Sequence, residues 1–132
     1  MSAAENKQLM QHIFSEMSKG NPLPFIEGLA DDVRWTITGT TPWSKTYEGK
    51  QSVLKELLGQ LNASLEGPIR LTAQRFIAED DYVVVEARGD STTKAGVPYN
   101  NNYCFVVRLA GGKAVEVKEY LDTALVTSAL GA

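Results

Sequence analysis

The chain has 132 residues, 43% hydrophobic and 22% charged, which suits one domain over 1–132 with a real core. A formal charge of -3 with both signs interspersed excludes a basic nucleic-acid footprint, and no apolar run is long enough to cross a bilayer. One cysteine, Cys104, rules out an internal disulfide, the opening MSAAENKQ lacks a secretory signal's layout, and a lone histidine, His12, leaves no basis for a metal site. A reducing cytoplasm and a chemistry without cofactors are the expectations.

In chain order, residues 3–18 place Leu9, Met10, Ile13, Phe14 and Met17 three and four apart, an amphipathic helix closed by Gly20. A short helix is expected over 24–29, ended by Asp31-Asp32. Residues 33–38 alternate, with Val33, Trp35 and Ile37 on one face of a first strand. The stretch 39–49 reads as a loop broken by Gly39 and Pro42, and it holds Trp43 and Tyr47. A third helix over 51–65 carries a leucine stripe.

The remainder alternates. Residues 69–78 shift register at Phe76, which predicts a bulge near Gln74 or Arg75. Residues 82–92 form a two-faced strand, with Glu86 and Arg88 on one side and Val83, Val85 and Ala87 on the other. After a turn at 94–98 comes the stretch 99–122, two strands joined by Gly111-Gly112. Its first strand aligns Tyr99, Asn101, Tyr103, Phe105, Val107 and Leu109; its second aligns Val115, Val117, Glu119 and Leu121. Glu119 is the anomaly. A carboxylate in an apolar row needs a partner, water or a shifted pKa. A terminal helix over 123–130 completes the chain. Helices followed by a run of strands point to an α+β fold, and a bent sheet around helices leaves a cone with an inner cavity.

The layout resembles the NTF2-like superfamily, in its SnoaL-like branch with ketosteroid isomerase-like and limonene epoxide hydrolase-like proteins. The resemblance rests on DDVRW at 31–35, YEGKQSV at 47–53, AGVPYNNNY at 95–103 and GGKAVEVKEYLD at 111–122. It implies N-terminal helices packed against a strongly curved, mainly antiparallel mixed sheet. It matches Glu119 to a pocket carboxylate on the last strand. It matches Glu86-x-Arg88 to the epoxide hydrolase-like Arg-x-Asp pair with the charges exchanged. That family's tyrosine and asparagine fall where this chain has Trp35 and Ile37. Ketosteroid isomerase-like enzymes place their base where this chain has Thr36, Thr38 and Thr40, and their first-helix tyrosine has no counterpart.

On this reading Glu119, Arg88 and Glu86 face one cavity, Glu119 as general base and Arg88 orienting it or stabilising developing charge. A structural ion pair at the cavity mouth is the plain alternative. Trp35, Trp43, Tyr47, Tyr103 and Phe105 would line the pocket, with the Asn101 amide binding a ligand carbonyl. Trp35 and Phe105 read equally well as core. The expected function is a cofactor-independent isomerase, cyclase or hydratase/hydrolase acting on a small hydrophobic or polyketide-like substrate. A non-catalytic hydrophobic ligand carrier and a dimeric interaction module are the alternatives. Val83, Val85, Cys104 and Val106 are expected on an outer sheet face that pairs two copies, because an extended apolar face needs a cover.

Overall fold

The computed structural model describes residues 1–131. Helix α1 (Ala3–Ser18) opens on a capping box in which Ser2 and Glu5 satisfy each other's backbone amides. Its buried row is Met10, Ile13, Phe14 and Met17, as the spacing requires. Gly20, at φ +81°, takes the left-handed turn after it. Helix α2 (Leu23–Glu27) is a single short turn begun by the Pro22–Pro24 segment.

Strand β1 (Leu29–Ile37) begins earlier than the sequence suggests, and Asp31-Asp32 lie within it rather than ending a helix. Both aspartates are exposed at a register irregularity between Leu29 and Arg34, so the strand accommodates them without burying charge. The expected loop also contains a short strand, β2 (Thr46–Glu48), paired antiparallel to β1 through Trp35 and Tyr47. The third helix runs over 50–64 as α3 (Lys50–Ser52), a π-helical stretch (Val53–Leu58) and α4 (Gly59–Ser64).

The meander follows as β3 (Leu71–Glu79), β4 (Tyr82–Gly89), β5 (Asn102–Ala110) and β6 (Lys113–Leu121), then helix α5 (Thr123–Leu130). The sheet order is β2-β1-β6-β5-β4-β3, antiparallel throughout except for the parallel pair β1–β6. The bulge in β3 lies between Ala73 and Arg75. Strand β4 stops at Gly89, short of the expected end, and the chain returns through a loop tied by a bridge from Thr92 to Pro98. Proline has no N–H to extend a ladder there.

Helix α1 lies across the concave face, where Phe14 meets Phe76 and Phe105 at ring separations of 6.1 and 5.7 Å. Helix α5 closes the far end, Val126 packing with Leu65 and Tyr99. Its first turn is capped by the Asp122 carboxylate, which accepts from Leu125 N at 3.2 Å.

Two assignments of face are corrected. Val83 and Val85 are fully buried and oppose Val107 and Phe105, so they belong to the inner face; only Cys104 and Val106 of the expected outer quartet lie outside. A bulge in β6 pairs Arg108 with Glu116 but Leu109 with Ala114, and it moves Ala114, not Val115, into the row of Val117 and Glu119.

Candidate functional site

The concave face encloses a cavity of about 80 Å³. Its walls come from α1 (Met10, Ile13, Phe14, Met17), from the helix over 50–64 (Leu57, Leu58, Leu61), from the sheet and from α5. Among the described residues, one ionisable carboxylate lines it: Glu119. A cavity of about 150 Å³ is what it takes to hold benzene. A ring-sized guest therefore enters only as flexible wall side chains such as Met10, Met17 and Leu58 swing aside. A surface basin of about 450 Å³ adjoins the cavity, and Met17, Phe25, Leu58 and Ile69 line both. These four side chains form the wall that the two spaces share.

Period two turns Glu119 inward together with Val117. The parallel register sets Trp35 opposite Val117 and Ile37 opposite Glu119, so the Trp35 indole reaches diagonally across the same face. Its Nε1–H donates to Glu119 Oε1 at 2.8 Å. Oε2 takes no hydrogen bond from the described residues. Glu119 is 7% exposed, and among the described residues no cation lies within salt-bridge distance of it. Burial pushes its pKa up to about 7, against the smaller opposing effect of the Trp35 hydrogen bond. Such a group changes protonation state at neutral pH, the condition for exchanging protons with a bound molecule.

Trp35, Tyr103 and Phe105 line the cavity as an aromatic cluster. Tyr103 stacks on Phe105 at 5.3 Å, and Trp35 meets Phe105 edge-on at 6.1 Å. Trp43, half-buried, joins them from the loop. Tyr47 does not line the cavity: it is buried beneath the loop, its hydroxyl donating to the Trp43 carbonyl at 3.0 Å.

Arg88 and Glu86 are not part of the site. Strand β4 sends Val83, Val85 and Ala87 inward, leaving Arg88 exposed and Glu86 half-exposed on the outer face. Glu86 pairs there with Arg75 at 3.4 Å, across the register that also sets it opposite Cys104. The reason is hydrophobic: turning this strand over would bury two charges and expose three aliphatic side chains. Cys104 lies on the outer face too, its thiol pushed up by burial and by the Glu86 charge, which makes it a poor nucleophile.

Asn101 is fully buried but does not touch the cavity. Its Oδ1 accepts from Asn102 N at 2.7 Å and Asp122 N at 3.0 Å; its Nδ2 donates to the Asp122 carbonyl at 3.1 Å and to Tyr99 Oη at 3.2 Å. All four of the amide's hydrogen-bonding positions are thus spent, fastening the entry to α5 onto the start of β5. Tyr99 was legible only as a member of the inward row; the fold makes it a cavity wall beside Tyr103. Burial raises the pKa of both phenols, Tyr103 the more strongly, and the nearby Glu119 charge raises each further.

Comparison with known proteins places the chain. The SnoaL-like domain family profile matches residues 10–117. Among curated proteins none matches this chain. An NTF2-like protein of unknown function from Burkholderia pseudomallei K96243 is similar over 100% of both chains, with 25% identity and a TM-score of 0.81. A candidate SnoaL-like polyketide cyclase from Jannaschia sp. CCS1 covers 98% of this chain and 94% of its own, at 16% identity and a TM-score of 0.78. A candidate isomerase from Bacillus subtilis covers 98% and 95%, at 19% identity and a TM-score of 0.75. With its curved six-stranded sheet closed by helices, the chain belongs to the SnoaL-like domain family of the NTF2-like superfamily.

Proposed function

We propose that this protein is a cofactor-independent acid/base enzyme of isomerase, cyclase or hydratase/hydrolase type, with Glu119 as the proton-transferring group. Its substrate is a small hydrophobic molecule. The observation that carries this reading is a single carboxylate, buried in an aromatic and aliphatic cavity, held by one indole hydrogen bond and free at its second oxygen. Such a group ionises near neutrality and takes a proton from a bound carbon or oxygen acid without solvent competing for it. Apolar walls, with hydroxyls among the described residues only on Tyr99 and Tyr103, suit a substrate that is mostly hydrocarbon with one or two oxygens.

The experiment is a pH titration of the Glu119 carboxyl carbon by NMR. A midpoint near 7 is expected, whereas a midpoint at the ordinary carboxylate value would end the acid/base reading. A second reading, a carrier of hydrophobic ligands without chemistry, draws on the outward placement of Arg88 and Glu86, which leaves Glu119 without a charged helper. Thermal-shift screening with small carbonyl compounds, followed by turnover assays on each binder, separates the two.

We also propose that the outer sheet face seats a second copy. Ile77, Val84 and Val106 form a cross-strand apolar row, with Cys104 and Tyr120 paired beside it. Ile77 is 53% and Tyr120 43% exposed. Sedimentation of the wild type and of Val106→Glu tests it: a dimer that the charge breaks is expected, and a monomeric wild type refutes it. Among the described residues no helix is long and apolar enough to cross a membrane. A reducing, cytoplasmic location suits the lone thiol of Cys104.

A further inference from the structure

We infer that the surface basin is the outer half of the binding site, and that it takes an unbranched hydrocarbon chain ending in a carboxylate. Lys94 holds the charged end, and the apolar end passes the shared wall into the cavity of Glu119. This rests on the proposed chemistry of Glu119 and names the class of substrate that reaches it.

The two spaces differ in size and in charge. The inner one, about 80 Å³, is smaller than the roughly 150 Å³ of a cavity that holds benzene, so it receives a narrow chain end more readily than a ring. The basin, about 450 Å³, has room for the rest of such a molecule. Its lining is mostly apolar, with Pro22, Ile26, Leu65 and Pro68 beside the four shared side chains. Among the described residues that line it, one is charged, Lys94, and one carries a side-chain amide, Asn62. Lys94 is exposed, and among the described residues no carboxylate lies within salt-bridge distance of it. An apolar trough with one such cation on it is complementary to an amphiphilic anion: the chain leaves water and the carboxylate meets the ammonium.

The lysine is fixed at its root. Lys94 N donates to the Ser64 carbonyl at 3.0 Å, at the end of the helix over 50–64, and Leu65 bridges Thr93 across the same junction. Thr93 is buried, and its Oγ1 accepts from Val97 N at 3.0 Å, which closes the turn. The shared wall, by contrast, is built from lightly held parts. Phe25 belongs to α2, a five-residue helix with none of its residues fully buried. Leu58 ends the π-helical stretch, a backbone irregularity that recurs at functional sites. Ile69 lies between regular elements, and Met17 is unbranched and flexible. Phe25 also meets Trp35 edge-on at 5.5 Å, and Trp35 donates to Glu119. A chain end that displaces Phe25 therefore arrives against the indole that holds the carboxyl.

The probes are decanoate and its neutral counterpart 1-decanol, titrated by calorimetry into the wild type and Lys94→Gln at neutral pH. The substitution is expected to weaken decanoate about 3-fold or more and to change decanol less than about 1.5-fold. Added salt weakens decanoate binding to the wild type and leaves decanol unchanged. Isotope-filtered NMR locates the bound chain, with its terminal methyl against the ring protons of Trp35 or Phe105 and its C2 protons against the Lys94 methylenes. An equal change for both probes, no change for either, or no binding of decanoate overturns the assignment. Terminal-methyl contacts confined to Leu65 and Pro68, or a chain bound the other way round, overturn it as well. Glu119 titrating at the ordinary carboxylate value ends the acid/base reading while the decanoate result stands. A Glu119 midpoint near 7 in a protein indifferent to Lys94→Gln ends this assignment alone.

Discussion

The two faces of one sheet treat the same chemical group in opposite ways. On the outer face, carboxylates meet arginines in water: Glu86 with Arg75 at 3.4 Å, Glu116 with Arg108 at 3.0 Å, Glu48 with Arg34 at 3.2 Å. On the inner face of the same sheet, Glu119 has, among the described residues, only an indole N–H. The outer carboxylates have partners and little leverage, because solvent already screens them. Glu119 has no charged partner among the described residues and great leverage, since low dielectric makes every change of its charge expensive. Proximity of charges is therefore a poor guide to this protein's chemistry, and desolvation a good one.

The sharpest way to break that contrast is to strip the inner face of its other polar device. Asn101→Ala leaves the N–H groups of Asn102 and Asp122 and the Tyr99 hydroxyl without their partner. It is expected to cost roughly 3 kcal/mol or more of stability, measured by urea unfolding, and to loosen the start of α5. A loss below about 1 kcal/mol would show the network to be dispensable.

Next comes the pH dependence. In the folded protein Glu119 holds its proton up to about 7, while the unfolded chain releases it near 4.5. Between those values the folded state binds more protons, so stability falls as pH rises and levels off above about 7. The drop is on the order of 3 kcal/mol for this one group. Glu119→Gln removes the slope. A variant whose stability–pH curve matches the wild type would place the effect in other groups.

A smaller shift is expected from Trp35→Phe, which deletes the one hydrogen bond that favours the ionised form. The Glu119 midpoint then rises above the wild-type value by about one pH unit, read from the carboxyl carbon shift. A fall would mean that water admitted at the site outweighs the lost bond.

The least effect belongs to the outer face. Arg75→Ala removes the pair with Glu86 at a cost below about 1 kcal/mol, and neither it nor Arg88→Ala moves the Glu119 titration. A displaced Glu119 midpoint in Arg88→Ala would restore the arginine to the site.

Much of this was written in local spacing. Three- and four-residue apolar steps define α1, and alternation defines the meander and turns Glu119 toward Val117. The register break at Phe76 announces the bulge in β3. The family follows from motifs spread along the chain, since they encode the order of elements. Alternation, however, says only which residues of one strand share a side. It does not say which side becomes the inside, and for β4 that was settled by burying Val83, Val85 and Ala87 against Phe105 and Val107 at the expense of Glu86 and Arg88. A bulge is equally silent until strands pair, which is why Ala114 rather than Val115 joins Glu119. The Trp35–Glu119 bond, the Asn101 latch and the small cavity volume join residues up to 84 positions apart. Such contacts are set by packing across the sheet and against the helices, where free energy depends on which surfaces meet, and no periodicity in a single segment carries that information.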